Sequence, residues 1–194
     1  MHHIHHTNGF IIGSRPVGEA NKLLFIYTRE MGLIRAMAQG IRRSQSKLRF
    51  ALQDFSYAHV DLVHGRDIWR VTSATTVTSF PFARSKRLTL LFIARISKLI
   101  ERLCDGEEAN EKIFDDFIQA LYILDNPATT DASREALELH VVLRIMNTLG
   151  YVGESPLLRE YLESNFDGSQ TEKLLKEQQS IIAHINRALN ESQL

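Results

Sequence analysis

The spacing of apolar residues changes character at Ser79-Phe-Pro-Phe-Ala83, and that change splits the chain into two kinds of structure. Before it lie β-like runs at Phe10–Ile12, Leu23–Thr28, Leu33–Ala38, Leu52–Val63 and Ile68–Val77, opened or closed by Gly9, Gly13, Gly18, Gly32, Gly40 and Gly65. Arg29-Glu-Met-Gly32 and Gly65-Arg-Asp67 have the composition of hairpin turns, glycine supplying the positive φ that a tight turn needs. Five short strands, four of them with short connections, predict a small antiparallel barrel. Closure removes the unpaired edges that an open five-stranded sheet would leave.

Beyond Pro81 the period is helical. Leu88, Leu91, Phe92, Ile96, Leu99, Ile100 and Leu103 form one apolar stripe, and Ile113, Phe114, Phe117, Ile118, Leu121 and Tyr122 form a second. Asp131 is a candidate N-cap for a third helix, with Leu137, Val141, Val142, Ile145 and Leu149 inside and Gly150 ending it. Leu157, Leu158, Tyr161 and Leu162 predict a short fourth helix. Ser169-Gln-Thr-Glu172 is a capping box for a last one, with Leu174, Leu175, Ile181, Ile182, Ile185 and Leu189 buried. The predicted class is α+β: a five-stranded barrel over residues 1–80, then an all-α domain over 81–194. A length of 194 residues accommodates two small domains or one large one.

A formal net charge of zero hides an uneven distribution. Met1 to Arg87 holds 13 Lys and Arg against 5 Asp and Glu; Leu88 to Leu194 holds 10 against 18. A basic first half is an electrostatic footprint for a polyanion, and an acidic second half limits indiscriminate binding. The densest basic stretch is Gly40-Ile-Arg-Arg-Ser-Gln-Ser-Lys-Leu-Arg49, with two serines and no acid, between two hydrophobic runs. Its position predicts a basic connection between strands. Arg42, Arg43, Lys47 and Arg49 are candidate phosphate contacts, joined by Lys22 and Arg35 beside apolar runs and by Arg66 and Arg70 around Trp69. A solvated surface loop is the alternative reading of such a run. Trp69 either stacks on a base, a contact of about 1–3 kcal/mol, or plugs the barrel. Arg87, Arg95, Lys98 and Arg102 recur at helical spacing. They extend a DNA track, receive an acidic peptide, or pair locally with Glu101 and Asp105.

Enzyme signatures are missing. Cys104 is the sole cysteine, which excludes an internal disulfide and a cysteine-based zinc site, and its place at the end of an apolar helical pattern predicts a buried, inert thiol. His2, His3, His5 and His6 have no Cys, Asp or Glu nearby to complete a metal site; they read as a leftover tag or the solvated start of strand one. His59, His64, His140 and His184 are scattered, there is no G-x-S-x-G, and Gly40 to Lys47 has one glycine, too few to wrap a phosphate as a P-loop does. Glu19 and Glu30 sit in separate turns. The expectation is a non-enzymatic protein without cofactor or metal. No stretch approaches the ~20 apolar residues of a membrane span, so a cytoplasmic location and no membrane partner are expected.

Several segments occur together in an order that resembles one family. They are Gly9-Phe-Ile-Ile-Gly13, Val17-Gly-Glu-Ala20, Tyr27-Thr-Arg-Glu-Met-Gly-Leu-Ile34, Ala38-Gln-Gly-Ile-Arg-Arg43, Ser46-Lys-Leu-Arg49, Leu52-Gln-Asp-Phe-Ser56 and Leu149-Gly-Tyr151. The set resembles the RecO recombination mediators, well over the first 80 residues and loosely beyond. The resemblance implies an N-terminal OB-fold, a helical C-terminal domain, and binding of single- and double-stranded DNA. It also implies annealing of complementary strands in DNA repair at the bacterial nucleoid, and work with RecR and single-stranded-DNA-binding protein to load the recombinase. The acidic C-terminal tail of that binding protein, ending in a hydrophobic residue, would suit the Arg87, Arg95, Lys98, Arg102 stripe. One departure is that many relatives carry a Cys-x-x-Cys zinc module after the Leu-Gly-Tyr segment, where this chain has Val152-Gly-Glu-Ser-Pro-Leu-Leu158. The chain is also shorter than typical members. Two rival readings remain: a protein-interaction adaptor whose barrel supports an acidic helical docking domain, and an RNA-binding OB-fold protein.

Overall fold

In the computed structural model, which describes residues 3–104, 106–153, 155–166 and 168–191, the chain first builds strands and then helices. The expectations for His2, Asp105 and the Leu157 side chain lie outside the described residues. The strands are β1 (Ile4–Val17), β2 (Asn21–Thr28), β3 (Gly32–Ala38), β4 (Tyr57–His64) and β5 (Trp69–Thr78), with a one-turn helix α1 (Leu48–Ala51) between β3 and β4. They close in the order β1-β2-β3-β5-β4. All neighbours are antiparallel except β3 and β5, which meet in parallel at Ala36–Trp69 and Met37–Arg70. This is the five-stranded OB-type barrel expected, with one parallel seam.

Two element boundaries differ from the apolar runs. β1 is much longer than Phe10–Ile12: residues Ile4–Phe10 pair with β4, and residues from Gly9 onward pair with β2, with a register shift between Ile11 and Gly13. The shift bends one strand so that it serves two neighbours. The run Leu52–Val63 in turn divides into a turn and a strand. Leu48, Ala51 and Leu52 close one end of the barrel, and pairing resumes only at Tyr57. Inside the barrel pack Ile11, Leu24, Ile26, Ile34, Ala36, Val60, Leu62, Trp69 and Val71. Gly32 adopts φ +68° in its hairpin, as its turn demands. Gly65 is glycine for a different reason: a Cβ there would lie 2.6 Å from the Ile68 carbonyl oxygen.

Phe80 turns the chain with φ +49°, and Pro81 starts the helices α2 (Pro81–Ser85), α3 (Arg87–Leu103), α4 (Glu111–Leu124), α5 (Asp131–Thr148), α6 (Pro156–Glu163) and α7 (Thr171–Glu191). Proline suits a first helical position because its missing N–H would be unpaired there anyway. The N-cap of α5 is Thr130, whose Oγ1 accepts from the Ser133 N–H at 3.1 Å; Asp131 is instead a first-turn acid facing the positive end of the helix dipole.

The outer face of the barrel is itself core. Phe10, Ile12 and Tyr27 pack with Phe80, Phe92, Ile96, Phe114 and Phe117, and the Phe10 and Phe117 rings meet edge-on at 5.0 Å. Arg29 of the β2–β3 hairpin adds ion pairs to Glu111 (2.8 Å) and Asp115 (2.9 Å) of α4. Helix α5 is apolar on two sides because it serves two cores. Leu137, Val141 and Ile145 face the barrel-side cluster, while Leu139, Leu143 and Met146 pack with Leu158, Tyr161, Leu174 and Ile181 of α6 and α7. Asp116 and Arg144, both largely buried, join α4 to α5 at 2.9 Å. Four residues expected inside are exposed: Leu88 (44%), Leu91 (39%), Tyr122 (50%) and Ile182 (39%). Their apolar stripes are wider than the faces that find partners; of its stripe α3 buries Phe92, Ile96 and Ile100, and it buries Ile93 beside them.

Candidate nucleic-acid interface

The basic connection after β3 is folded down onto the β1–β2 turn. The Gly40 N–H donates to Asn21 Oδ1 (2.9 Å), the Arg42 N–H to the Ala20 carbonyl (3.0 Å), and Arg42 Nη1 to the Gly18 carbonyl (2.9 Å). Gly18, at φ +59°, turns its carbonyl into reach. This docking gathers Lys22, Arg42, Arg49 and Arg84 around a cleft of about 520 Å³, floored by Ile41 and Leu52 and completed by Gln53 and Asp54. Asp54 is the one acid there. It accepts from Ser14 Oγ (2.6 Å), which in turn accepts from Lys22 Nζ (3.1 Å). Arg84 reaches across from α2 to Gln53 Oε1 (3.3 Å). Arg49 is exposed at the cleft, and Arg43 and Lys47 of the same connection are exposed without lining it. Four cations around one tethered carboxylate form a surface suited to a phosphate backbone.

A second group lies on the outer side of β1, β2 and β3. Cross-strand register sets Arg15 beside Leu23 and Phe25 beside Arg35, and both guanidinium groups lie against the Phe25 ring, at 5.9 and 6.0 Å from its centre. Arg15 and Arg35 line another cleft, of about 480 Å³, together with Leu33, His64, Asp67, Trp69 and Glu107. Trp69 is 7% exposed. Its ring meets His5 and His64 edge-on at 5.0 and 4.7 Å, and its indole N–H donates to Glu107 Oε1 at 2.7 Å. Of the two readings open to Trp69, the structure takes the barrel plug.

Of the candidates, Lys22, Arg42 and Arg49 share the first cleft with exposed Arg43 and Lys47 nearby in the chain, and Arg35 lines the second. Arg66, on the β4–β5 turn, and Arg70, outward on β5, are exposed and line neither cleft. Two contributors escaped the sequence: Arg15, hidden because the second half of β1 carries no apolar run, and Arg84, which follows the period change.

On α3, Arg87, Arg95, Lys98 and Arg102 are all exposed. Arg95 is held by Glu138 of α5 at 2.8 Å, while Lys98 and Arg102 form no ion pair among the described residues. Phe92 faces the core, so the apolar flank of this stripe is made by Leu88 and Leu91. Arg95 also borders a groove of about 330 Å³ between α3, α5 and α7 that carries Glu135 and Glu138 beside Leu139, Val142 and Ile182. Cys104 is half-buried; burial pushes its thiol up, against the opposing pull of the nearby Tyr27 hydroxyl. His5 and His6 belong to β1, with His6 Nδ1 2.6 Å from Asp61, and His3 stacks edge-on against His5. Among the described residues no group of three or more His, Cys, Asp or Glu is placed to hold a metal ion. No helix there is long and apolar enough to cross a membrane.

Residues 1–80 match the family model described as recombination protein O, N terminal, and residues 84–153 match the corresponding C-terminal model. Among curated proteins, the chain is 26% identical over 180 residues to the DNA repair protein RecO of Alkaliphilus metalliredigens, covering 92% of this chain and 70% of that one. It is 31% identical to the protein of that name from Pelotomaculum thermopropionicum (76% and 56% covered) and 30% identical to that of Dehalococcoides mccartyi (79% and 58%). The chain thus spans under three fifths of the length of the latter two.

Proposed function

The chain belongs to the RecO family, and from that premise we propose that it is a non-enzymatic DNA-binding and strand-annealing mediator of DNA repair. The observation that carries the reading is the cleft at the end of the barrel, where Lys22, Arg42, Arg49 and Arg84 surround a single tethered acid. Two complementary strands repel each other through their phosphates. A surface that neutralises several phosphates at once, while contacting only the backbone, lowers that repulsion and leaves base edges free to pair. Such a step needs no nucleotide hydrolysis and no metal. The helical half supplies docking in this reading: Lys98 and Arg102, which form no ion pair among the described residues, lie on the same exposed helix as Leu88 and Leu91 and suit the acidic tail of single-stranded-DNA-binding protein. RecR and the loading of recombinase follow from the family premise, and with them a place in the cytoplasm, at the nucleoid.

Annealing tests the proposal directly. Two complementary oligonucleotides coated with single-stranded-DNA-binding protein are expected to pair faster when this protein is added in EDTA without nucleotide. A strict requirement for ATP or a divalent ion would overturn the non-enzymatic reading, and equal affinity for RNA with no acceleration of pairing would favour the RNA-binding alternative.

A further inference from the structure

The pairing of β3 with β5 begins only at Ala36, so Gly32 to Arg35 would present an open strand edge. The described part of the α3–α4 loop covers it. The Leu33 N–H donates to the Gly106 carbonyl (3.2 Å), and the Glu108 backbone passes so close to Gly32 that a Cβ there would lie 2.4 Å from the Glu108 oxygen. From this seat Glu107 extends its carboxylate into the second cleft and accepts from the Trp69 indole N–H at 2.7 Å. The same cleft holds the guanidinium groups of Arg15 and Arg35 and the imidazole of His64, with Asp67 its other acid. A buried N–H donor and two cations around a concave space are the requirements of an anion site, and the anion present is a glutamate from the chain itself.

We propose that this cleft is a second phosphodiester-binding subsite on the barrel face, and that Glu107 occupies it in competition with nucleic acid. The inference rests on the DNA-binding reading above but uses different residues from the basic cleft. A backbone phosphate of a single strand laid across β2 and β3 takes over the Trp69 N–H and the two arginines, and Glu107 swings out to solvent. No bond is made or broken. The exchange replaces one carboxylate acceptor by one phosphate acceptor, so the cost of opening is small and the subsite fills only when a strand is already held nearby.

The test uses the full chain, a fluorescent oligothymidylate, and two variants of the competing residue. Glu107→Gln keeps an acceptor for the indole but removes the charge; Glu107→Ala removes both. Removing a single, partly solvated charge that competes with the ligand is expected to tighten oligonucleotide binding about fivefold at low salt. The gain should vanish in an Arg15→Ala, Arg35→Ala background. Trp69 is the only tryptophan, so its emission reads the cleft directly: it should shift on oligonucleotide binding in the wild type, and less in Glu107→Ala, where the indole has already lost its partner. Unchanged affinity in both folded Glu107 variants would overturn the inference, as would a gain that survives loss of the two arginines. If oligonucleotide binds with its usual salt dependence while Trp69 emission stays still, the subsite fails and the basic-cleft reading stands. If neither wild type nor variants bind, both fall.

Discussion

Removing the three exposed cations Arg43, Lys47 and Arg49 together is the sharpest perturbation of the basic connection that borders the cleft. Arg42 is spared because it donates to the Gly18 carbonyl and holds the connection in place, so its loss would mix folding with binding. The three chosen side chains are exposed, and their truncation to alanine should change stability by no more than about 0.5 kcal/mol. Each phosphate contact on a single strand releases about 0.7 counterion, so three lost contacts should flatten the slope of log K against log salt by roughly 2 units. Between about 50 and 200 mM salt, the wild type should therefore lose roughly 20-fold more affinity than the variant. Fluorescence anisotropy of a labelled oligothymidylate across a salt series measures both slopes, and a urea titration confirms that the variant is folded. A folded variant with an unchanged slope would refute the assignment, even if its affinity fell, because a lost cation contact must show in the salt dependence.

Alkaline pH should weaken the fold. Burial holds the Cys104 thiol and the Tyr27 and Tyr161 hydroxyls above their ordinary values, Tyr27 further through Cys104 and Tyr161 through Glu177, so each folded group keeps its proton where the unfolded chain releases it. Their contribution is complete below the unfolded values, about 8.5 for a thiol and about 10 for a phenol, and is lost as pH rises beyond them; urea midpoints should fall from about pH 8 to pH 10.5, and a flat or rising series would contradict this. On α3, Lys98→Glu with Arg102→Glu should weaken binding of an acidic peptide ending in a hydrophobic residue by about 10-fold while sparing oligonucleotide binding. A fall in oligonucleotide affinity with the peptide untouched would move this stripe into the DNA track.

The division at Ser79–Ala83 was legible because a period of two and a period of 3.6 cannot be confused over long stretches; all five strands precede it, and every helix but the one-turn α1 follows it. The length of β1 was not legible. His5, His6, Thr7 and Asn8 carry no apolar alternation, and only pairing with β4 makes them strand. The basic connection could be read as charge, but not as a cleft. Its shape depends on Gly18, Ala20 and Asn21, which receive it, and on Arg84, which arrives from beyond the period change. Leu88 and Leu91 show the opposite failure. An apolar stripe states which residues are able to pack, not how many neighbours exist to pack against, and α3 has partners only for Phe92 and the residues in register with it. Trp69 was ambiguous in sequence because indole is both a plug and a platform. The seam where β3 meets β5 decides between them.

The outer wall of the barrel carries a consequence for anyone who cuts the chain. Phe10 and Tyr27 have no exposure at all, yet they point away from the barrel's interior and into the helices. Residues 1–80 released alone would keep every strand pairing but bare an aromatic wall to water, a surface that invites self-association. The two halves are separate in chain order and in charge, but not in thermodynamics: heat or denaturant that loosens α3 and α4 also strips the back of the strands whose front and end hold the basic clefts. A strand of DNA bound at the barrel would therefore brace helices it never touches, through the shared aromatic layer rather than through any moving part.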